Sequence, residues 1–494
     1  MPPISQHARP SVVLRLTGYQ HDALNSHLFP GDHCEAVAVA LCGRRKGNDN
    51  TGRWGRREIL TIHEIFPVPH RACHLRKPNC VSWPTEPILP LLRKAAEHDL
   101  AVLKIHSHPT GYAAFSERDD AADIDLFPSI MGWVDDSGPH ASAIMLPQGK
   151  IIARAVYDDG KGDALFVPVD AVMVAGDCIR IWRKNECNPK AASLAVPEFA
   201  KRHAQAFGEG TTMVLRHLSV AIVGVSGTGS PVAEMLTRLG VGELILVDPK
   251  LVEDKNLNRI LNATKKDIGR PKVNVLAKVL QHVGLGTHVI PLASDLFDPE
   301  VIRRVALADI IFGCVDSVDG RDLMNRLAAY YNLPYFDLGV RLDADGKGSV
   351  EAINGTVHYL QPDGSSLLSR KVYTLEDLSA AAIRRSDPAA YEQLQGENYL
   401  RGVREDRPAV ISVNTLVASM AVNELLARIH PFRDYPNRQF ATYRVNLNQA
   451  RLMRDSETDA CPILAPKVGR GDTSPLLDMP ALSRQLAHQM APAS

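Results

Sequence analysis

The chain of 494 residues carries no excess of either charge: 56 basic side chains balance 56 acidic ones. They are spread along the sequence, so the concentrated positive potential that a nucleic-acid surface needs is missing. No run of about 18 apolar residues occurs, and the opening Met1-Pro2-Pro3-Ile4-Ser5-Gln6-His7 has no apolar core, so neither a helical membrane span nor a signal peptide is expected. The eight cysteines (34, 42, 73, 80, 178, 187, 314 and 461) form no C-x-x-C pair and no framework spacing. That excludes a disulfide scaffold and suits a reducing, cytoplasmic setting. There is no internal repeat. With 45% hydrophobic and 23% charged residues the chain has ordinary globular composition, and its length exceeds what one core organises, so two or three domains are expected.

What is present falls into four stretches. Residues 1–183 alternate strand-like and helical segments, closing with one apolar strand near Ala164 to Val174. Residues 184–192, with Asn188-Pro189, read as a linker. Residues 193–455 alternate strands and helices as βαβ units do, which predicts a mostly parallel sheet. Residues 456–494, rich in Pro, Ser and Asp, read as a flexible tail.

In the first stretch His106-Ser107-His108-Pro109 is followed, after six residues, by Ser116-Glu117-Arg118-Asp119. The segment Ala101-Val102-Leu103-Lys104-Ile105 reads as a buried strand and Glu117 to Leu126 as a helix. Histidines two apart on a strand share a face, and an acid on the next helix can complete a three-ligand zinc site with one position open for water. The cluster Cys73, His74 and Cys80 near His70 has no standard ligand spacing and reads as a loop.

This pattern resembles the JAB/JAMM metalloproteases, in which a glutamate far upstream precedes H-x-H-P, six residues and S-x-x-D. Glu35, ahead of the run Ala36 to Leu41, is the matching acid. The resemblance implies an α/β metalloprotease domain with His106, His108 and Asp119 on Zn²⁺. Glu35 would be general base on the zinc water, and Ser116 would help hold the oxyanion.

In the third stretch the strand Ser219 to Val223 runs into Gly224-Val225-Ser226-Gly227-Thr228-Gly229-Ser230. Such a loop lets backbone N–H groups and a helix N-terminus approach phosphates, whether of NAD, FAD or ATP. The next strand ends in Asp248, an acid suited to a ribose. Then come Asn256-Leu257-Asn258-Arg259, Lys272 thirteen residues on, and Asp316 followed by Arg321. A hydride-transfer site has little use for that set, whereas a triphosphate does: the cations neutralise phosphates and an aspartate carries Mg²⁺.

Over about residues 195–455 the set resembles the ThiF/MoeB family, the adenylating core shared with ubiquitin-activating enzymes, and implies a Rossmann-like doubly wound domain. Gly224, Gly227 and Gly229 would cradle ATP, with Asp248 on the ribose. Asn256, Arg259 and Lys272 would take the phosphates, Asp316 the magnesium, and Arg321 is the motif's closing arginine. Arg202 stands where family homodimers insert an arginine into the partner's site. Two departures stand out: Ser366-Leu367-Leu368-Ser369 and a lone Cys461 replace the family's two C-x-x-C pairs, and Lys250 replaces its second acid. No structural zinc is therefore expected there. Cys314 is expected buried, whereas Cys461 could be exposed near the tail as a thioester former.

Together the resemblances imply a bifunctional enzyme of a prokaryotic ubiquitin-like system. It would adenylate the C-terminal glycine tail of a ubiquitin-like protein and cleave at that tail, preferably trimming a precursor, alternatively deconjugating. A conjugating enzyme is a possible further partner. Two alternatives stay open: a sulfur-carrier system for sulfur-containing metabolites, and a non-catalytic scaffold that binds such proteins.

Overall fold

The computed structural model describes residues 10–45, 52–53, 55–135, 138–184, 196–345, 347–396 and 410–482. Residues 185–192 of the expected linker and 483–494 of the expected tail lie outside them. The chain divides into two units.

Unit 1 comprises residues 1–195 with Tyr330–Asn332 and Lys467–Asp478. It runs β1 (Ser11–Thr17), α1 (Gly18–Leu28), β2 (Val37–Arg45), β3 (Arg57–Pro67), β4 (Leu75–Lys77), β5 (Cys80–Ser82) and α2 (Leu89–His98). There follow β6 (Ala101–Ser107), α3 (Glu117–Val134), β7 (His140–Met145), β8 (Ile151–Asp158), β9 (Ala164–Pro168), β10 (Ala171–Ala175) and β11 (Ile179–Arg183). Apart from the β4–β5 hairpin, the strands make one nine-stranded mixed sheet in the order β11-β10-β1-β3-β2-β6-β7-β8-β9.

The period of two decides which side chains meet which helix. Ala38, Ala40, Leu103, Ile105, Ala141 and Ala143 join the core containing Leu24 and Leu28 of α1. Val39, Leu41 and Val102 point the other way, into the core containing Leu92 and Ala95 of α2 and Phe127 and Ile130 of α3. Covered on both faces, β2 reads as an apolar run from Val37 to Cys42, as such strands do, whereas on β6 Lys104 and His106 interrupt the apolar side chains.

Two expectations change here. The run Ala164 to Val174 is two strands: β9 pairs with β8 at one edge, and β10 lies parallel to β1 on the far side of the sheet. The chain leaves β9 at Pro168 and turns there, with Val169 N–H donating to Ala153 O and Asp170 N–H to Val12 O. The stretch after 455 is described as far as 482, and its segment Lys467–Asp478 belongs to unit 1. Gly43 N–H and the Thr61 hydroxyl both donate to Gly469 O, at 3.0 and 2.9 Å, and the Val468 carbonyl accepts from His63 Nδ1. No local pattern announces that return.

Unit 2 runs α4 (Lys201–His217), β12 (Ser219–Val223), α5 (Gly229–Arg238), β13 (Glu243–Val247), α6 (Lys272–Val283), β14 (His288–Leu292) and α7 (Pro299–Val305). It continues with β15 (Ile310–Gly313), α8 (Val318–Tyr330), β16 (Tyr335–Ala344), β17 (Val350–Leu360), α9 (Leu375–Ser386), α10 (Pro388–Gly396), α11 (Ile411–Ile429), β18 (Thr442–Asn446) and β19 (Arg451–Asp455). The sheet order is β14-β13-β12-β15-β16-β17-β18-β19. The first five strands are parallel, as a Rossmann-like reading expects, and β17, β18 and β19 extend the sheet antiparallel. Only a short turn separates β16 from β17, too little for the crossover that a parallel neighbour requires. The sheet is therefore mixed, parallel in its first five strands and antiparallel beyond them.

Among the described residues no helix is long and apolar enough to cross a membrane.

Candidate metal centre and nucleotide site

The metal-ligand candidates converge because β6 and α3 each present one face to the other. His106 is the second-last residue of β6, paired with Val37 on one side and Ile144 on the other. His108 follows one step past the strand, its N–H still donating to Met145 O at 2.9 Å. Both histidines are therefore on the α3 side. On α3, Asp119, Asp123, Phe127, Ile130, Met131 and Val134 form the buried stripe. Its first turn is polar, so the helix delivers a carboxylate where the strand delivers imidazoles.

The separations suit one small cation. His106 Nε2 lies 2.9 Å from Asp119 Oδ1 and 3.1 Å from His108 Nε2, and His108 Nε2 lies 3.4 Å from Asp119 Oδ2. Tetrahedral zinc with bonds of about 2.0–2.1 Å has ligand atoms roughly 3.3 Å apart. Among the described residues this is the group of three acid, His or Cys side chains whose ligand atoms gather, all within 4.8 Å. His108 Nδ1 faces the Tyr112 carbonyl at 2.8 Å, which puts the proton on Nδ1 and leaves the Nε2 lone pair free to ligate. His106 Nδ1 is buried without a hydrogen-bond partner.

His106 and Asp119 are in the forms that ligate, while for His108 burial is outweighed by hydrogen bonds to Asp119 and the Tyr112 carbonyl, which raise it. Burial pushes His106 down to about 4, so it is neutral near pH 7. For Asp119 burial is outweighed by hydrogen bonds with His106 and His108, which hold the carboxyl well below its usual range. Glu35, 6% exposed, is pushed up to about 7, mainly by burial, with His108 opposing and Asp119 reinforcing the shift. Its position is fixed by backbone: Glu35 N–H donates to Lys77 O, and the next residue, Ala36, donates to the Ser107 hydroxyl while accepting from Ser107 N–H. An acid that titrates near neutral pH within electrostatic reach of His108 and Asp119 suits a general base.

Ser116 is the N-cap of α3. Its hydroxyl donates to Asp119 Oδ2 at 2.8 Å and accepts from Asp119 N–H, while its own N–H also donates to Asp119 Oδ2. In this arrangement the hydroxyl proton is committed to orienting Asp119 rather than to an oxyanion. The spacing S-x-x-D is also that of a capping box, which is why one pattern carries two meanings.

In unit 2, the turn between β12 and α5 is closed by crowding. Gly224 has φ +85°, and a Cβ there would meet Cys314 O at 2.6 Å; one at Gly229 would meet Gly224 O at 1.9 Å. A Cβ at Gly227 would lie 2.3 Å from Asn414 Nδ2 and 3.3 Å from Arg259 Cδ. Asp248, at the end of β13, accepts from Val225 N–H of the loop at 3.0 Å and from Lys250 N–H at 2.9 Å. Lys272, at the start of α6, is 5% exposed, and burial lowers its pKa against the pull of Asp248. Arg259 is also within electrostatic reach of Lys272. The structure thus brings Gly224, Gly227, Gly229, Asp248, Arg259 and Lys272 together. Asn256 is buried, its side chain accepting from Glu253 N–H in a local cap.

Asp316 is exposed in the loop between β15 and α8. Arg321 lies under that loop: its Nε is 3.3 Å from buried Asp337 and donates to Val315 O, and Nη2 donates to Leu338 O. It braces the loop more than it faces a ligand. Arg202 is exposed in the helical stretch ahead of Gly208, whose φ of +79° breaks α4. Asn414 on α11 was not singled out from sequence, since its contact with Gly227 joins distant parts of the chain.

Of the two cysteines of unit 2, Cys314, expected buried, is partly exposed as a residue although its thiol is enclosed. Burial pushes the Cys314 thiol up to about 12. Cys461, expected near an exposed tail, is 1% exposed, with its N–H donating to Gly364 O. Where the two C-x-x-C pairs would stand, Ser366 and Ser369 cap each other, and a buried Arg370–Glu457 ion pair at 3.1 Å joins the two loops. The cluster Cys73, His74 and Cys80 is not among the gathered ligand groups of the described residues.

Known proteins resemble parts of this chain. Ubiquitin-like modifier-activating enzyme 5 of Culex quinquefasciatus is 32% identical over 160 residues, 30% of this chain and 38% of that protein. Its counterpart in Caenorhabditis elegans is 35% identical over 159 residues, 30% of this chain and 36% of that one. The match therefore spans little more than a third of these relatives. Among solved structures, E. coli MccB with ATP is 18% identical, with a TM-score of 0.41, over 55% of this chain and 74% of that one. The profile of the ThiF family matches residues 200–463, more than half of the sequence, and the chain belongs to that family.

Proposed function

We propose that the chain is a two-centre enzyme acting on the tail of a ubiquitin-like or sulfur-carrier protein. Unit 2 activates the tail carboxylate with ATP, and unit 1, read as a JAB/JAMM-type zinc peptidase, cuts after the tail's last residue. The observation that carries this reading is the convergence of His106, His108 and Asp119 on one point, with Glu35 in electrostatic reach of His108 and Asp119, in a chain that belongs to the ThiF family.

In the activation step a tail carboxylate oxygen attacks the α-phosphorus of ATP. A C–O–P linkage forms, the α–β P–O bond breaks, and pyrophosphate leaves with the electron pair. The glycine loop holds the phosphates through backbone N–H groups, Asp248 takes the ribose, and Arg259, Lys272 and Asn256 stabilise the charge on the phosphates. Magnesium, held at Asp316, would share that charge when bound. Arg202 enters the site of a second copy, making the homodimer the working form.

The acyl group then passes to an acceptor carried by another molecule, the acyl C–O bond to the phosphate breaking and AMP leaving. From residue 193 onward the sequence has only Cys314 and Cys461, one with a thiol pushed up to about 12 and the other 1% exposed. Neither offers the exposed thiolate that a thioester needs. Sulfide, a persulfide or an amine on a separate protein takes its place.

His106, His108 and Asp119 would hold zinc, which when bound would supply Lewis acidity to the scissile carbonyl and the water. In the cleavage step the water oxygen bonds to that carbonyl carbon and the C–N bond breaks. Glu35 takes the water's proton and delivers it to the leaving amine, and Ser116 keeps Asp119 aimed. Trimming of an extended precursor is favoured over deconjugation, because removing the product of one's own activation wastes ATP.

Purified protein with an extended ubiquitin-like precursor tests both halves. One equivalent of zinc, tail cleavage, and ATP–pyrophosphate exchange dependent on the trimmed carrier are expected. A chain without zinc that leaves the precursor intact removes the peptidase half; a chain without exchange removes the activating half.

A further inference from the structure

Below the metal-ligand group lies a second set of charges that neither proposed reaction uses. Lys104 precedes His106 by two residues on β6, and Asp123 follows Asp119 by four on α3. Lys104 Nζ meets Asp123 Oδ1 at 2.6 Å, just as His106 Nε2 meets Asp119 Oδ1 at 2.9 Å. Two residues of strand advance about 6.7 Å and four of helix about 6 Å, so the two contacts are successive rungs between antiparallel elements. The other Asp123 oxygen meets Arg154 Nη2 of β8 at 2.6 Å, and Arg154 Nη1 meets Asp120 at 2.5 Å. The Arg154 guanidinium stacks between Phe115, the residue before the α3 cap, and Phe166, at 3.9 and 4.0 Å. The Lys104, Asp123 and Arg154 side chains are 7%, 0% and 9% exposed, so water competes little for them.

Buried charges of this kind rarely add net stability over an apolar packing of equal volume. What they add is direction, because a hydrogen-bonded ion pair fixes both distance and angle. A helix held only by Phe127, Ile130 and Val134 could turn or slide by a few tenths of an ångström at little cost, and a metal site tolerates deviations of only about 0.2 Å. We propose that Asp123, clamped by Lys104 from β6 and Arg154 from β8, is the positioning residue that sets the rotation and height of α3 and thereby places Asp119 in the metal centre. The proposal rests on the reading of His106, His108 and Asp119 as metal ligands.

The test uses the full chain and reads metal directly: zinc affinity by competition with a chromogenic chelator, and the visible absorption of the Co²⁺-substituted protein. Asp123→Asn, which keeps all three ligands, is expected to fold and to lose 10- to 100-fold in zinc affinity, the range typical of groups that orient ligands. Its Co²⁺ bands are expected to shift from those of the parent. Asp123→Asn with the parent's affinity and spectrum overturns the proposal. Should that variant not fold, the apolar pair Lys104→Met with Asp123→Leu replaces it: weakened zinc and altered Co²⁺ bands support the clamp, and parental values overturn it. His108→Ala separates the two levels. If the parent binds zinc no better than His108→Ala, the metal-centre reading falls, and the clamp falls with it. If the parent binds well, His108→Ala does not and Asp123→Asn matches the parent, only the clamp falls.

Discussion

His106 Nε2 and His108 Nε2 face each other across 3.1 Å, with an Asp119 oxygen 2.9 Å from the first and 3.4 Å from the second. Two imidazole lone pairs that close repel unless a cation or a proton lies between them, and the Tyr112 carbonyl already draws the His108 proton to Nδ1. Zinc removal should therefore act at this point. His108→Ala or Asp119→Asn is expected to lose bound zinc and at least 100-fold in peptide cleavage, while ATP–pyrophosphate exchange stays within twofold of the parent. Metal analysis and the two assays on the same preparations check it; loss of both activities from either change would refute independent centres.

How far the sequence revealed this site depends on the distance over which each relation acts. His106, His108 and Asp119 lie within one strand–turn–helix, so local periodicity alone placed them together. Glu35 comes from the segment just ahead of the neighbouring strand β2, and only the motif points to it. The parallel half of the unit 2 sheet follows from its alternation of strand and helix, but β18 pairs with β17 across a long stretch of intervening chain. Asn414 over Gly227, buried Cys461 and the return of Lys467–Asp478 to unit 1 are likewise long-range facts with no periodic trace. Ser116 shows the converse: the spacing was legible and its physical meaning was double.

At the nucleotide loop the crowding at Gly227 gives a sharp test. A methyl group there would lie 2.3 Å from Asn414 Nδ2 and 3.3 Å from Arg259 Cδ, so Gly227→Ala must displace one of them. Exchange is expected to fall by 10- to 1000-fold with zinc content unchanged. Adding Asn414→Ala relieves the amide contact and should recover thermal stability. Isothermal titration with ATP and pyrophosphate exchange would measure the two effects separately, and parental exchange in Gly227→Ala would contradict the assigned loop.

His358 on β17 predicts an acid-sensitive unit 2. Burial, with Arg370, Arg321 and Arg444 adding repulsion, pushes this imidazole down to about 3, while the unfolded chain titrates near 6.5. The folded state favours the neutral ring, so its contribution is complete above pH 6.5 and is lost as pH falls from 6.5 towards 3. Between pH 7 and pH 4.5 the parent should lose about 2 kcal/mol that His358→Asn does not lose. Hydrogen exchange of the β17 and β18 amides at the two pH values measures it, and equal losses in both proteins would rule the ring out.

The segment Lys467–Asp478 makes the last prediction, and the tryptophans supply its probe. All four, at positions 54, 83, 133 and 182, fall within residues 1–195 of unit 1, so intrinsic fluorescence reports that unit and no other. Gly469 has φ +70°, and a Cβ there would meet Ile62 O at 1.9 Å; one at Gly43 would meet Arg470 C at 2.2 Å. Since both obstacles are backbone, no side chain can yield, and Gly469→Ala must pull the segment off β2 and β3. It thereby gives up the bonds from Gly43 N–H and the Thr61 hydroxyl to Gly469 O. Strain and two lost bonds together are expected to cost about 2–4 kcal/mol. The fluorescence midpoint in urea should fall accordingly, and ATP–pyrophosphate exchange measured without denaturant should hold. An unchanged midpoint would mean that the segment contributes nothing to the sheet it covers, whatever hydrogen bonds it makes there.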